Sequence, residues 1–494
     1  MKPILTAAEM RDCDRRATNE RLLAPIVLME RAAYATFELI RERYDLTGTV
    51  ILCGVGNNGG DGAALARMIA DAGFRATVVI VGDEIHATEE TRTQLTSASR
   101  SGVRIYSAED PKVDLDRLLS DATLAVDAIF GIGLTRAVEG IYKLAIEALN
   151  RCGKPVVSLD IPSGVFADSG AVPGCAVKAE LTATYAYYKR GLLLYPGAAM
   201  AGEAVLLDAG IHTLEACHTH FLEKADLAMI PKRGANTHKG SYGRVLCICG
   251  ACGMAGAAYL SAHAAYATGA GLVEVMTDEA NRGVIQSLVP EAIFTPIPED
   301  GDIGKSLARA SSVVIGPGLG VSERTAALLE TVLVCSSVPI VADADALNTA
   351  AAYEIPLRAR VPIIITPHML EMQRISGIPV AELKRDPVGA AAAFADEHGL
   401  ICILKDARSV ISDGREVCIN VSGNNGMATG GSGDVLTGVI ASLIAQGASP
   451  FDGARVGTYL HGLAGDAACE RRGAYSMTAR DIVSGIGDVL KEII

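Results

Sequence analysis

The chain has 494 residues, 50% of them apolar, 20% charged and only 4% aromatic, with 52 glycines, 19 prolines and no tryptophan. That balance excludes a disordered or fibrous protein, and the length predicts roughly two or three domains, each able to bury a core without metal or disulfide staples. A formal net charge of −13 gives a surface field that repels polyphosphate chains and anionic lipid, so neither nucleic acid nor a membrane is an expected partner.

Apolar runs closed by glycine or proline alternate with helix-period segments, the rhythm of parallel α/β sheets. The first half reads as strand Thr49–Gly54, helix Ala63–Ala72, strands Ala76–Val81 and Leu124–Phe130, helix Gly140–Asn150, then strands Val156–Ile161, Leu181–Tyr187 and Ala204–Leu207. Around Ile211–Lys224 the rhythm lapses into a polar stretch with His212, His218 and His220, read as solvated histidines of a connector. The expected domains are therefore 1–212 and 225–494, with 213–224 as the linker.

After Tyr242 the rhythm restarts with strand Arg244–Cys249, helix Ala255–Thr268 and strand Leu272–Met276. Further strands are expected at Val313–Ile315, Ile340–Ala342, Ile363–Thr366, Ile401–Leu404 and Ser409–Ile411, and helices at Val435–Ala445, Ala454–Arg471 and Thr478–Leu490. Twelve cysteines, mostly in strand-like runs, read as reduced buried thiols, and Cys247, Cys249 and Cys252 lack a second pair at zinc spacing. With no apolar leader after Met1 and no lipid-facing span, a cytoplasmic protein is expected, here taken to be a homo-oligomer.

Strand Thr49–Cys53 runs into Gly54-Val55-Gly56-Asn57-Asn58-Gly59-Gly60-Asp61-Gly62. The spacing matches a dinucleotide loop, but the acidic residue expected about 20 positions on is missing from the end of the next strand. Asn57, Asn58 and Asp61 add side chains that can bind sugar hydroxyls or a cation. Two strand-end aspartates point to the same edge: Asp127 before Ala128-Ile129-Phe130-Gly131, and Asp160 before Ile161-Pro162-Ser163-Gly164. Ligands of open α/β sheets bind at such carboxyl ends, and together these groups suit a hard cation and a polar ligand.

The second half carries Asn424-Asn425-Gly426-Met427-Ala428-Thr429-Gly430-Gly431-Ser432-Gly433-Asp434 ahead of an uncharged helix. Glycine N–H groups at a helix start can hold a phosphate, and Asp434 can take a proton from a hydroxyl attacking phosphorus. Gly304-Lys305-Ser306 lacks the earlier glycine of a P-loop, since position 299 is Glu299.

These loops resemble two known families. Residues 1–212 are similar to NAD(P)H-hydrate epimerases through Gly56–Gly62, Asp127–Gly131 and Asp160–Gly164. That resemblance implies a Rossmann-like three-layer domain in which Asn58, Asp127 and Ser163 hold K+. It also implies that Asn57, Asn58, Gly59, Gly60, Asp61, Gly131, Ile132, Gly133, Leu134, Thr135, Arg136, Ala137, Tyr142 and Asp160 contact hydrated NADH or NADPH. Arg136 falls where some relatives carry lysine.

Residues 225–494 resemble ADP-dependent NAD(P)H-hydrate dehydratases of the ribokinase-like fold, through His238–Gly243, Gly316–Gly320, Asp343–Leu347, Thr366–His368 with Glu371, Lys405-Asp406 and Asn424–Asp434. The implied ADP contacts are Lys405, Asp406, Ala407, Arg408, Ser409, Asn424, Asn425, Gly426, Met427, Ala428, Thr429, Gly430, Gly431, Ser432 and Gly433, with Mg2+ on the phosphates. Ala257, Gly318, His368 and Asp434 are implied to face the hydrated cofactor. Relatives usually show Pro-His-x-Gly-Glu, whereas this chain has Pro367-His368-Met369-Leu370-Glu371.

The resemblance implies a bifunctional repair enzyme in which Asp160 serves epimer exchange. Asp434 serves phosphorylation of the S epimer's ring hydroxyl, whose elimination returns NAD(P)H with AMP and phosphate; the glycine N–H groups are read as stabilising charge without a lysine clamp. Two alternatives stay open at this point: a vitamin or sugar kinase fused to a nucleotide-binding regulatory domain, and a first half that binds without catalysis.

Overall fold

A computed structural model describes residues 1–214, 216–299 and 302–492, leaving aside the side chain of residue 21. The chain divides into two compact units, Pro3–Cys217 and the residues from His218 onward together with Met1 and Lys2.

In the first unit an all-parallel sheet runs in the order Arg104–Ser107, Ala76–Ile80, Thr49–Cys53, Leu124–Ala128, Val156–Leu159, Leu181–Tyr185, Glu203–Leu207. Alternate residues of Thr49–Cys53 feed two cores. Ile51 and Cys53 pack with helices Pro25–Arg43, Asn57–Asp71 and Glu89–Arg100, and Val50 and Leu52 with Gly140–Arg151. Strands buried on both faces need continuous apolar runs, which is why these were visible in sequence.

Helix Ala7–Arg21 was not expected. Its sequence has little apolar period, but Thr6 caps it: the Thr6 hydroxyl accepts from the Glu9 N–H at 3.2 Å and the Thr6 N–H donates to Glu9 Oε2 at 2.7 Å. Helix Asn57–Asp71 starts six residues before the expected Ala63. The glycine loop is thus its first turn, because a side chain at Gly59 would run into the Gly54 carbonyl and one at Gly62 would meet Ala128 at 2.6 Å.

The second unit's sheet is parallel from Ile293–Pro296 through Leu272–Thr277, Arg244–Ile248, Ser312–Ile315, Ile340–Ala342 and Ile363–Ile365 to Ile401–Leu404. Val410–Ser412 and Val417–Ile419 continue it antiparallel, and Thr219–Phe221 pairs parallel to Val417–Ile419. The polar stretch 213–224 therefore contains a sheet strand; its residue 215 lies outside the described residues. Helices Ala255–Ala267, Ser432–Ala445, Pro450–Arg472 and Ala479–Lys491 bury the main core against one face.

Among the described residues no helix is long and apolar enough to cross a membrane, and no group of three His, Cys, Asp or Glu could hold a metal ion. All twelve cysteines are free thiols.

Two candidate active sites at strand ends

The carboxyl ends of the first unit's strands open into a cavity of about 870 Å³. Of the residues implicated from sequence, Asn57, Asn58, Asp61, the loop Gly131–Arg136 and Asp160 line it; Gly59, Gly60, Asp127, Ala137, Tyr142 and Ser163 do not. The Gly59 and Gly60 N–H groups are spent on the Gly56 carbonyl, at 2.9 and 3.3 Å. Tyr142 packs its ring on Phe130, 4.8 Å between centroids, with its hydroxyl filling the space beside Gly82.

Asp127 is wholly buried and accepts four hydrogen bonds: from Ser158 Oγ (2.8 Å), the Ser163 N–H (2.8 Å), Ser163 Oγ (2.6 Å) and the Ile129 N–H (3.2 Å). Burial pushes its carboxyl up and those donors pull it back. Asn58 is buried beside Gly131, and neither its amide oxygen nor its nitrogen has a hydrogen-bond partner among the described residues. An orphaned amide in a folded core is rare and marks room for a ligand.

Asp160 occupies a left-handed backbone position, φ 65°, uncommon for a residue with a side chain and often found at functional sites. Its Oδ1 pairs with Lys189 Nζ at 2.7 Å and its Oδ2 accepts from the Ile132 N–H at 3.3 Å. Lys189 is only 1% exposed and donates also to Thr184 Oγ1 and the Tyr185 carbonyl, both at 2.9 Å. Two more carboxyls face this pair. Burial, then the negative charges of Asp160 and Asp14, push Asp61 well above the usual carboxylate range, with Lys189 opposing. Burial, then Asp160, push Asp14 up to about 6. Lys189 and Asp14 were missed in sequence; Lys189 follows two tyrosines on a two-residue strand, and Asp14 lies in the unexpected helix.

The second unit gathers its groups at neighbouring strand ends. Asp343 follows Ile340–Ala342, His368 follows Ile363–Ile365 and Lys405 follows Ile401–Leu404. Lys405 Nζ pairs with Asp343 Oδ1 at 2.8 Å. A side chain begun at Gly433 would lie 3.3 Å from Lys405 Nζ and 3.4 Å from Asp343 Oδ2, so this pair stands directly against the helix start. A lysine therefore stands at the glycine turn, where the sequence reading assigns charge stabilisation to the glycine N–H groups without one. Helix Ser432–Ala445 starts from Gly431 in the left-handed region, φ 89°, and places Asp434 in its first turn. Burial first, then Asp343, raise the Asp434 carboxyl to about 7, with Lys405 opposing.

Ala257 and Gly318 touch: a side chain begun at Gly318 would stand 2.9 Å from Ala257 Cβ. His368 caps helix Met369–Ser376, its Nδ1 accepting from the Leu370 and Glu371 N–H groups at 3.2 and 3.1 Å, so its ring proton belongs on Nε2. Asn424 turns its amide inward, donating to Asp466 Oδ1 at 2.9 Å and the Gly465 carbonyl at 3.0 Å, and Gly426 packs against Met477. Lys405–Ser409 form the turn between two antiparallel strands, with Asp406 and Ala407 exposed.

The family model described as NAD(P)H-hydrate dehydratase matches residues 245–487, and that described as YjeF-related protein N-terminus matches residues 25–191. Proteins named bifunctional NAD(P)H-hydrate repair enzyme Nnr align along nearly the whole chain. The one from Moorella thermoacetica is 37% identical over 99% of this chain and 97% of its own, and that from Escherichia coli 34% over 97% and 92%.

The chain belongs to the bifunctional NAD(P)H-hydrate repair enzymes.

Among solved structures, the ADP/ATP-dependent NAD(P)H-hydrate dehydratase of Bacillus subtilis, co-crystallised with ATP/Mg2+, is 30% identical. It covers 56% of this chain and 100% of its own, with TM-score 0.51. A ribokinase-like protein of Enterococcus faecalis gives TM-score 0.51 at 29% identity, over 56% of this chain and 96% of its own. The second unit of this repair-enzyme chain thus has the ribokinase-like α/β fold, and its first unit is the parallel three-layer partner. In the Pro367–Glu371 segment the helix begins at Met369: Leu370 has no left-handed φ and its side chain is 54% exposed, so its backbone does not demand glycine.

Proposed function

We propose that the first unit interconverts the R and S epimers of hydrated NADH or NADPH, and that the second dehydrates the S epimer at the expense of ADP. The observation that carries the second half is the placement of Asp434. A carboxyl raised to about 7 stands in the first turn of a glycine-led helix, beside the Lys405–Asp343 pair. Asp434 takes the proton of the substrate's ring hydroxyl as that oxygen attacks the β-phosphorus of ADP; the β-phosphoryl group moves to the oxygen and AMP leaves. Phosphate then departs with the C–O electron pair while the ring nitrogen supplies electrons, and proton loss restores NAD(P)H. The N–H groups of the helix start and the N–H donors of Lys405 not taken by Asp343 hold the transferring phosphoryl charge.

Mg2+ accompanies the nucleotide, and the buried carboxylates of Asp343 and Glu371 next to Lys405 are oxygen donors of the kind it takes. K+ in the first unit fits Asn58, whose buried amide oxygen has no partner among the described residues, with Ser163 Oγ and the buried Asp127 carboxyl, hydrogen-bonded to each other, as the further oxygen donors that the resemblance implies. Such an ion supplies fixed positive charge near the substrate.

The test is to mix the purified protein with both epimers of hydrated NADH, ADP labelled at its β-phosphate, and magnesium. The reading requires NADH absorbance to return from both epimers, with one labelled phosphate released per NADH. Recovery without phosphate release, or a stable phosphorylated product without NADH, would overturn it.

A further inference from the structure

The cavity of the first unit contains a carboxyl that neither the glycine loop nor the strand ends supply. Met10, Asp14 and Thr18 recur at four-residue spacing on helix Ala7–Arg21 and form one wall of the cavity. The neighbouring charges are engaged: Asp12 pairs with Arg16 at 2.7 Å, and Arg11 reaches the Ile132 carbonyl at 3.5 Å. Asp14, by contrast, has no hydrogen bond or ion pair among the described residues. It shares the cavity with Asp160, whose carboxylate is fixed by Lys189 and the Ile132 N–H.

We propose that Asp14 is a second catalytic residue of epimer exchange, the proton donor that works opposite Asp160. The inference rests on the epimerase reading of this cavity and adds to it the residue that protonates the departing oxygen.

Inversion at the ring carbon that bears the hydroxyl requires its C–O bond to break and re-form on the other face. Protonated Asp14 gives its proton to the hydroxyl oxygen, which leaves as water with the C–O electron pair, while the ring-nitrogen lone pair forms C=N. Water then adds to the opposite face of that carbon, its spare proton passes to Asp160, and the C=N electrons return to nitrogen. Transfer of that proton from Asp160 to Asp14 resets both groups, so one epimer becomes the other with no net gain or loss. The reverse reaction exchanges the two roles.

Environments that separate two carboxyls are how one site obtains an acid and a base at the same pH. Burial and the charge of Asp160 bring Asp14 to about 6, so an appreciable fraction carries the proton near neutrality. The groups facing it are Asp160, Lys189, Asp61 and Tyr185 from the sheet and glycine-helix side, Arg136 from the loop, and Arg11, Arg15 and Cys13 from its own helix.

The experiment uses the full chain, pure R epimer without ADP, and chromatographic separation of the epimers; dehydration of the S epimer with ADP and magnesium serves as the control for folding. Asp14→Asn should lower kcat for exchange about a hundredfold or more, with KM and the dehydration rate unchanged. The fall of the wild-type exchange rate above pH about 6 should vanish with it. Asp14→Glu should restore part of the rate with that limb displaced. Wild-type kcat in Asp14→Asn, or a loss confined to KM, overturns the inference; should Asp14→Asn fail to fold, an undisplaced limb in Asp14→Glu overturns it. Wild-type protein that does not exchange epimers would count instead against the epimerase reading itself.

Discussion

Each unit sets an aspartate–lysine pair at the end of a parallel strand, and the two pairs are built in opposite senses. In the first, Lys189 is the buried partner and all three of its N–H donors are filled, by Asp160, Thr184 and Tyr185. In the second, Asp343 is the buried partner at 2% exposure, while Lys405 is 21% exposed and, among the described residues, donates to Asp343 alone. A saturated ammonium can only hold a charge in place. An unsaturated one has donors left for an incoming phosphate. The same division runs through the acids: Asp160 is fixed and its neighbours Asp14 and Asp61 carry the raised affinities for protons, whereas Asp343 is fixed and Asp434 does so.

The sharpest way to break the comparison is to remove the second site's base. Asp434→Asn should cut dehydration about a thousandfold while leaving epimer exchange untouched, read by NADH absorbance and by chromatography. Loss of both activities in a folded variant would mean the sites are not separate. With wild-type protein, dehydration should rise about tenfold per pH unit and level off above about 7, because the reactive form of Asp434 is the carboxylate. Lys405→Gln should weaken ADP binding about tenfold or more and move that limb to higher pH, since Lys405 opposes the rise of Asp434.

Removing the saturated lysine should act on stability instead. Lys189→Met leaves the Asp160 carboxylate in the cavity without its counter-charge, a loss of about 3–5 kcal/mol. In thermal unfolding this is roughly 10 °C in the first unit's transition. Adding Asp160→Asn should recover most of it, and failure to do so would show that Lys189 acts through packing rather than charge.

How much of this was legible in sequence follows from what each feature depends on. Strands such as Thr49–Cys53 and Ile340–Ala342 are buried on both faces and announce themselves as apolar runs. Both functional helices start earlier than expected, at Asn57 and Ser432, because their glycines read as loop until close approach makes them the first helical turn. Asp160 and Asp434 lie in local motifs and could be picked out. Lys189 and Asp14 could not: their importance comes from the fold bringing a lone strand-end lysine and a helix stripe to one cavity, which no spacing encodes. His368 was expected as a cofactor contact, and what the structure shows is its Nδ1 given to the helix start, a capping duty that its sequence neighbour Glu371 hinted at.

A subtler contrast concerns stability against pH. A folded-state carboxyl at about 7, against an ordinary 3.8, binds its proton more tightly in the folded chain than in the unfolded one. Stability is therefore unaffected below pH about 4, declines as pH rises towards 7, and stays reduced above it. Each pKa unit is worth about 1.4 kcal/mol, so Asp434→Asn should gain up to about 4 kcal/mol at pH 8 and nothing at pH 4, measured as urea midpoints of nucleotide-free protein. An equal gain at both values would show that the variant relieves packing and not buried charge.

The smallest expected effect separates sequence divergence from functional divergence at the Pro367–Glu371 loop. Leu370 stands where the resemblance to the dehydratases implies glycine, yet its backbone is helical and its side chain is 54% exposed. Leu370→Gly therefore gives the loop no conformation it lacks and removes only helix propensity, about 1 kcal/mol at most. Dehydration kinetics should stay within about twofold, because the cap made by His368 and Glu371 uses the backbone N–H of residue 370 and not its side chain. A marked fall in KM for the hydrated cofactor would show the opposite, that the leucine holds ligand away from His368 and that glycine is preferred there for space rather than for backbone freedom.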